Sequence, residues 1–265
     1  MIDKEFPVII LCGGKGTRIA DIAENIPKPM VPIGGKPILW HIMRIYAAYG
    51  FKNFILALGH RSWEIKNFFL NYRAMNSDFS LGFENQHQVI DYLSPFDISD
   101  WHITFAETGE ETQTGMRVKL CRQYVQTPYF MVTYGDGLAD INIDSQIRFH
   151  INHGKTATVT CVRPKSRFGS IELGSLSQVK AFNEKPDAGG GTINGGFFVF
   201  NRSFFDILDV CGDVMLERDP MDILVQRQEL YAYLHDGFWE PMDTSREHRV
   251  LNQLWNEGNA PWKIW

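Results

Sequence analysis

The sequence predicts an α/β fold of Rossmann-like type, a mixed but mainly parallel sheet flanked by helices, with an added antiparallel portion. Short β-branched runs alternate with amphipathic stretches along the 265-residue chain, and this alternation is typical of parallel strands joined by crossover helices. Turns become denser after Asp136, which favours antiparallel strands in that part. A composition of 44% hydrophobic and 22% charged residues fits a chain that buries a core.

Short apolar runs supply the predicted strands. The parallel portion is expected at Val8 to Leu11, Asn53 to Leu58, Ile103 to Glu107, Tyr129 to Thr133 and Thr156 to Val162. The antiparallel portion is expected at Gly169 to Phe182 and Gly195 to Phe200.

Three segments have helical periodicity. The apolar positions of Ile38 to Tyr49 fall on one helical face, and Gly50 is placed to end that helix. A second helix is expected over Ser62 to Tyr72 with Ser62 as its N-cap. The last helix is expected over Ser245 to Gly258.

Two segments lie outside this alternation. In residues 73–100 apolar and polar side chains alternate weakly, which predicts an extended arm or hairpin outside the central sheet. This insertion is also a candidate contact between subunits. The tail that contains Trp262 and Trp265 must dock on the fold, since exposed tryptophans promote association. No polar linker divides the chain, so we expect one domain over 1–265, with halves of about 1–140 and 141–243 and a C-terminal helix and tail over 244–265.

Charge and cysteine usage exclude several classes of protein. Lys and Arg number 26 against 31 Asp and Glu, a net charge of −5, so no chain-wide basic field is present to bind nucleic acid. The four cysteines form no CxxC pair, which argues against a zinc cluster or a disulfide framework and suits a reducing cytoplasm. No apolar run is long enough for a signal peptide or a membrane span, so no membrane partner is expected.

The strongest local signal is the glycine-rich segment from Leu11 to Arg18 after the first strand. Its glycines let backbone N–H groups approach a polyphosphate closely, although a tight turn without a ligand is the alternative. A dinucleotide fingerprint would require glycine or alanine at Ile19, so that interpretation fails. The later Gly154-Lys155-Thr156 also fails as a Walker motif, because Phe149 stands where that motif has its first glycine.

The remaining motifs occur in an order that resembles the sugar-phosphate nucleotidylyltransferases, and especially their glucose-1-phosphate cytidylyltransferase branch. The resemblance covers nearly the whole chain, which makes it more specific than any single glycine motif. It is carried by GGKGTR at 13–18, PKPMVPIGGKPILWHIM at 27–43, TGMR at 114–117, YGDG at 134–137, RFG at 167–169, EKP at 184–186, NGGFF at 194–198 and GFWEPMDT at 237–244.

The resemblance implies a role for specific residues of this chain. Lys28 would meet the reacting phosphates with Arg18, and Asp136 and Asp243 would bind Mg²⁺, the expected cofactor. The sugar phosphate would be held by Glu184, Lys185 and Asn194. The nucleotide would be held by Leu11, Cys12, Gly13, Gly14, Gly16, Thr17, Arg18, Thr112, Arg117 and Gly135.

Elementary chemistry is compatible with these roles, but local alternatives stay open. Two carboxylates are sufficient protein ligands for Mg²⁺, and fixed cations reduce the repulsion between two anionic reactants. Asp136 could instead be a turn aspartate and Asp243 the lead-in to a helix cap. Arg117 could be a solvated first-turn residue, and Asn194 part of a bulge without a ligand. His150 and His153 have the spacing of a metal pair, but we predict that both are structural.

The reaction implied by the resemblance joins CTP and α-D-glucose 1-phosphate into CDP-glucose and pyrophosphate. The alternatives are the same transfer with dTTP, UTP or another sugar 1-phosphate, and a non-catalytic protein that binds nucleotide sugars. Met116 stands where that family usually has a second glycine, and Cys12 replaces its commoner alanine, so the base preference is the least constrained part. The resemblance also implies a homo-oligomer, commonly a hexamer in that branch.

Overall fold

A computed structural model describes residues 2–14, 26–84, 87–95, 97–98, 100–163, 170–173, 178–183 and 191–265. The strands are β1 Val8–Leu11, β2 Pro32–Ile33, β3 Lys36–Pro37, β4 Asn53–Leu58, β5 Phe79–Glu84, β6 His87–Tyr92, β7 His102–Glu107, β8 Tyr129–Tyr134, β9 Gly137–Ala139, β10 Ala157–Val162, β11 Ser170–Leu173, β12 Val179–Asn183, β13 Ile193–Asn194, β14 Phe198–Asn201, β15 Leu230–His235 and β16 Trp239–Pro241. The helices are α1 Ile38–Ala48, α2 Ser62–Leu70, α3 Tyr72–Asn76, α4 Thr114–Leu120, α5 Ile143–His153, α6 Phe204–Cys211, α7 Asp219–Gln226 and α8 Ser245–Asn256, with 3₁₀ turns at Lys28–Met30 and Cys121–Tyr124.

An eight-stranded sheet forms the centre of the fold. Its order is β13-β10-β14-β8-β1-β4-β7, with β15 paired to β10. Strands β8, β1, β4 and β7 run parallel to one another, whereas β14 is antiparallel to both β8 and β10. The predicted mixed, mainly parallel sheet is confirmed, and the antiparallel strands lie in the second half of the chain as expected.

The first strand shows why its sequence is a continuous apolar run. Val8 and Ile10 pack into the core on one face of the sheet, and Ile9 and Leu11 pack into the core on the other. A parallel strand covered on both faces has no solvent-facing positions, so polar residues do not alternate with apolar ones. This burial fixes the end of β1, from which Cys12, Gly13 and Gly14 continue the described chain.

The three predicted helices are present, but the second ends at Leu70 and Tyr72 begins the separate helix α3. Gly50 follows α1 with a φ of +89°, the left-handed conformation that favours glycine after a helix. Ser62 is the first residue of α2 instead of its N-cap, which is Arg61 at a φ of +53°. The predicted serine cap is therefore wrong, because the chain enters this helix through a left-handed residue.

The two segments outside the alternation also have defined structures. Strands β5 and β6 form an antiparallel hairpin within the 73–100 insertion, as predicted. Trp262 is fully buried and packs against Trp255 of α8 and His41 of α1, so the tail docks on the fold. A capping box between Thr244 and Glu247 begins α8.

The histidine pair predicted to be structural makes internal hydrogen bonds. His150 Nδ1 and His153 Nε2 lie 2.8 Å and 2.7 Å from the Thr158 hydroxyl. Both rings therefore tie α5 to β10. Among the described residues, none of the helices has the length and apolar character needed to cross a membrane.

Candidate active site

The candidate site lies beyond the carboxyl ends of β1 and β8, where parallel strands of an open α/β sheet commonly meet a ligand. Leu11, the last residue of β1, pairs with Tyr134, the last residue of β8. A Cβ added to Gly135 would come within 2.8 Å of the Leu11 carbonyl oxygen. Glycine is required there because the chain leaving β8 crosses the end of β1.

A cavity of about 520 Å³ opens at this edge of the sheet. It is lined by Leu11, Gly13, Gly14, Lys28, Pro29, Thr112, Gln113, Thr114, Arg117, Tyr134, Gly135, Asp136, Met215 and Asp243. A neighbouring cavity of about 320 Å³ is lined by Thr133, Tyr134, Asp136, Gly137, Asn194, Gly195, Phe197, Trp239, Pro241 and Asp243. The two cavities share Tyr134, Asp136 and Asp243, so they form one cleft with two compartments.

Lys28, Asp136 and Asp243 converge at this shared wall. Lys28 Nζ donates to Asp136 Oδ2 and to Asp243 Oδ1, each at 2.6 Å. Burial disfavours the charged form of Lys28, but the charges and hydrogen bonds of the two aspartates outweigh it and raise its pKa above the ordinary value. The lysine is therefore an ammonium at neutral pH.

Local backbone structure explains this convergence. Lys28 begins the 3₁₀ turn that follows Pro27, and Val31 N–H closes that turn on the Lys28 carbonyl. Strands β9 and β16 pair antiparallel, and Met242 N–H extends the pairing by donating to the Asp136 carbonyl at 2.8 Å. Two aspartates separated by over a hundred residues are thereby placed side by side.

The two carboxylates fit a divalent cation. Their oxygens already share one cation, the Lys28 ammonium, at hydrogen-bonding distance, and about a third of each aspartate side chain is exposed to the cleft. Mg²⁺ prefers one or two carboxylates together with phosphate oxygens and waters, and this donor set leaves room for those ligands. The donor set therefore fits the Mg²⁺ that the resemblance implies at this position.

Arg117 is buried and organises the loops around the larger cavity. Its side chain donates to the carbonyls of Leu58, Gly109, Gly13 and Glu110 at 3.0, 2.7, 3.2 and 3.1 Å, and to the Thr108 hydroxyl at 2.7 Å. All five acceptors are uncharged, so its positive charge remains available to an anion in the cavity that it lines. Burial lowers its pKa, although not to a range where an arginine loses its proton. The solvated first-turn alternative is wrong, because only 4% of the residue is exposed.

Gly13 lies directly against that guanidinium. A Cβ added to Gly13 would overlap Arg117 Nη1 and Cζ. Cys12 N–H donates to the Ala57 carbonyl at 3.0 Å and its side chain packs in the core, so Cys12 lies behind the cavity wall instead of on it. Burial raises the pKa of the Cys12 thiol, so that thiol stays protonated.

The other predicted site residues divide into two groups. Leu11, Gly13, Gly14, Thr112 and Gly135 line the larger cavity with Arg117, and Asn194 lines the smaller one. Gly16, Thr17, Arg18, Glu184 and Lys185 lie outside the described residues.

Sequence reasoning assigned no role to several wall residues that only the structure identifies. Tyr134 stands in the quoted YGDG motif, so its position before Gly135 was the available signal. Met215 and the nearby Glu217 come from the loop between α6 and α7, which carries no recognisable motif. The structure places Thr114 and Arg117 on the cavity wall, whereas Met116 lies between them and is absent from the lining residues, which are all within the described chain.

Comparison with known proteins shows the family of the chain. The nucleotidyl transferase family model matches residues 7–242. The chain is 43% identical over 258 residues to the glucose-1-phosphate cytidylyltransferase of Salmonella typhi, covering 97% of this chain and 98% of the relative. It is 42% identical over 257 residues to the probable glucose-1-phosphate cytidylyltransferase of Bacillus subtilis, covering 97% and 99%.

Solved structures share the fold at lower identity. HddC from Yersinia pseudotuberculosis matches with a TM-score of 0.68 at 21% identity, covering 94% of this chain and 99% of that one. A putative glucose-1-phosphate thymidylyltransferase from Bacillus anthracis matches with a TM-score of 0.69 at 17% identity, covering 94% of each chain. These likenesses support the fold, whereas the family model and the full-length relatives identify the family. The chain belongs to the nucleotidyl transferase family, in its group of glucose-1-phosphate cytidylyltransferases.

Proposed function

We propose that this protein makes CDP-glucose and pyrophosphate from CTP and α-D-glucose 1-phosphate. The names of its full-length relatives support this choice of substrates, and the two-compartment cleft supports a reaction between two bound molecules. The observation that carries the proposal is the convergence of Lys28, Asp136 and Asp243 on the wall shared by the two compartments. In this proposal residues 1–265 form one catalytic domain.

CTP occupies the larger compartment. Leu11, Gly13, Gly14, Thr112 and Gly135 line this compartment and are proposed to contact the base, ribose and phosphates. The same role is proposed for Gly16, Thr17 and Arg18 on the motif alone. The uncharged hydrogen-bond partners of Arg117 support an electrostatic role, because the guanidinium charge adds to a positive potential at this wall.

Asp136 and Asp243 hold Mg²⁺ in the proposal. When bound, this ion neutralises negative charge on the triphosphate and polarises the α-phosphorus. Lys28 then exchanges its two carboxylate partners for phosphate oxygens of the reactants. The 3₁₀ turn Lys28–Met30 carries the ammonium to both aspartates at the wall that the two compartments share.

α-D-Glucose 1-phosphate occupies the smaller compartment, which Asn194 lines. Glu184 and Lys185 are proposed to bind it as well, on the motif alone. Its phosphate oxygen attacks the α-phosphorus of CTP in line, a new P–O bond forms, and the bond from the α-phosphorus to the bridging oxygen breaks. The electron pair leaves with pyrophosphate. The nucleophile is already an anion near neutral pH, so positioning and charge neutralisation replace a general base.

The exposed apolar residues support a homo-oligomer as part of the proposal. The β5–β6 hairpin and the residues beside it expose Met75, Phe79, Leu81, Phe83, Val89, Ile90 and Leu93, and Phe83 and Leu93 are 79% and 71% exposed. An apolar patch of this kind favours contact with another protein surface, and we propose a second copy of this chain, in an assembly such as a hexamer. A cytoplasmic location would supply CTP and keep the four cysteines reduced.

The test is a panel of four nucleoside triphosphates against several sugar 1-phosphates, read as released pyrophosphate. We expect the highest kcat/KM with CTP and α-D-glucose 1-phosphate. A higher value for dTTP, UTP or another sugar would reassign the substrates, and no release with any pair would indicate a non-catalytic binding protein. Asp136→Asn and Asp243→Asn should each lower turnover by orders of magnitude, whereas the exposed Asp206→Asn control should not; near-normal release from the first two would refute the metal role.

A further inference from the structure

Tyr134 connects the two compartments of the cleft. It ends β8, and its side chain lines both cavities. Its ring packs edge-on against Phe198 at 6.0 Å between ring centroids. A Cβ on Gly196 would lie 2.9 Å from the ring, and Gly196 has a φ of +76°, so glycine is required where the chain passes this tyrosine.

Hydrogen-bond direction at the Tyr134 hydroxyl follows from its partners. Glu217 Oε1 lies 2.5 Å away, and a carboxylate accepts, so the tyrosine donates its proton to Glu217. The hydroxyl oxygen keeps its lone pairs and accepts from Asn194 Nδ2 at 3.2 Å. Glu217 thus makes Tyr134 an acceptor toward the smaller compartment.

The orientation of the Asn194 amide is then defined from both ends. Gly196 N–H donates to Asn194 Oδ1 at 2.8 Å, which engages the amide oxygen, while one N–H of Nδ2 donates to Tyr134. A primary amide has two N–H groups. Among the described residues no hydrogen bond engages the second N–H, so this side chain is presented as a hydrogen-bond donor to a ligand in the compartment that it lines.

The other end of the same network reaches the nucleotide compartment. Glu217 Oε2 accepts from the Thr114 hydroxyl at 2.9 Å, and Thr114 Oγ1 accepts from Leu216 N–H at 2.7 Å. Gly115 N–H donates to the Val214 carbonyl at 3.0 Å. One carboxylate therefore anchors the start of α4, which lines the larger cavity, and the tyrosine that orients Asn194.

We propose that Glu217 and Tyr134 are positioning residues for the sugar phosphate. They hold Asn194 so that its free amide N–H faces the smaller compartment and donates to an oxygen acceptor of the sugar 1-phosphate. This inference rests on the proposed function, since it assigns the smaller compartment to that substrate. Glu217 and Tyr134 act through Asn194 and need not touch the reacting atoms.

Tyr134→Phe tests the proposal because it keeps the ring and removes the acceptor. We expect the KM for α-D-glucose 1-phosphate to rise about three- to ten-fold, the effect of losing one hydrogen bond, with the KM for CTP within about two-fold of wild type. Glu217→Leu should also raise the KM for the sugar phosphate, and because it releases Thr114 it should raise the KM for CTP as well. Glu217→Gln, which keeps an acceptor for Tyr134, should restore most of the affinity for the sugar phosphate. Tyr124→Phe, at an exposed tyrosine outside the cleft, is the matched control.

A double-mutant cycle separates positioning from general destabilisation. If Tyr134 acts through Asn194, adding Tyr134→Phe to Asn194→Ala should leave the KM for the sugar phosphate unchanged from Asn194→Ala alone. Calorimetry should show CDP-glucose binding weakened in Tyr134→Phe and CTP binding preserved. Additive effects in the cycle, or equal weakening of both ligands, would overturn the positioning role.

The same measurements distinguish this proposal from the function on which it rests. A wild-type protein that releases no pyrophosphate with any substrate pair would refute the proposed function. An active wild type together with a Tyr134→Phe variant of unchanged KM for the sugar phosphate would overturn this inference alone.

Discussion

Replacing Lys28 with methionine should abolish most turnover and yet strengthen the binding of Mg²⁺ to the free protein. Without substrates, the Lys28 ammonium is bonded to both aspartates at 2.6 Å and 13% of its side chain is exposed. Lys28 must release at least one carboxylate before both can hold a divalent cation. Methionine has a similar stem and no charge, so it removes this competition.

The size of the effect follows from one charge-assisted hydrogen bond. Such a bond contributes about 1.5–3 kcal/mol, and each 1.4 kcal/mol corresponds to about a factor of ten, so we expect Mg²⁺ to bind about 10- to 100-fold more tightly. Turnover with saturating substrates should fall by about 10²-fold or more, since a cation at the reacting phosphates is lost.

Isothermal titration of Mg²⁺ into the nucleotide-free protein measures the first effect, and pyrophosphate release measures the second. Lys52→Met is the matched control, because Lys52 pairs with Asp100 on the surface. A folded Lys28→Met protein with unchanged or weaker Mg²⁺ binding would refute the competition. Wild-type turnover in the same variant would show that Lys28 does not act at the phosphates.

The remaining predictions concern other parts of the molecule. Arg117→Met leaves several buried acceptors without a donor, and each unsatisfied group costs about 1–3 kcal/mol. Calorimetric melting should therefore show that the free energy of unfolding falls by several kcal/mol, and CTP binding should weaken. Gly13→Ala should weaken CTP binding by about ten-fold or more in calorimetry, because the new methyl group displaces the guanidinium; retained affinity would show that the wall adjusts. Burial lowers the pKa of both His41 and His150 to about 4, below the unfolded value of about 6.5. The free energy of unfolding, measured by urea denaturation, should therefore fall between pH 6.5 and pH 4, by up to about 3 kcal/mol for each histidine. His150→Gln should reduce this pH dependence. Phe83→Lys should weaken the subunit contact and lower the molecular mass measured by light scattering. An unchanged mass would place the contact elsewhere.

The fold was predictable because its strands are strongly patterned. Residues 8–11 are apolar at every position since both sheet faces are covered, and the helix over residues 38–48 carries a complete apolar face. Prediction failed at the start of α2, where a left-handed Arg61 replaces the serine cap. Helix caps depend on the φ and ψ of one residue, which hydrophobic periodicity does not report.

The ordered motifs identified Lys28, Asp136 and Asp243 as candidates, and their convergence could be tested only in three dimensions. The resemblance implied that Arg117 lies near the nucleotide, but its hydrogen bonds to four backbone carbonyls depend on how distant segments meet. No motif indicated Glu217 at all, because its partners are Thr114 and Tyr134, which are 103 and 83 residues away.

The amino-acid sequence alone therefore determined the class of fold, the family and the chemical types available at the cleft, because periodicity and motif order are local properties of a chain. Only the tertiary structure decided which carbonyls Arg117 joins, which way the Asn194 amide faces and what Lys28 binds before the substrates arrive. Hydrogen bonds have direction and short range, so these contacts depend on the relative placement of segments that lie far apart in sequence.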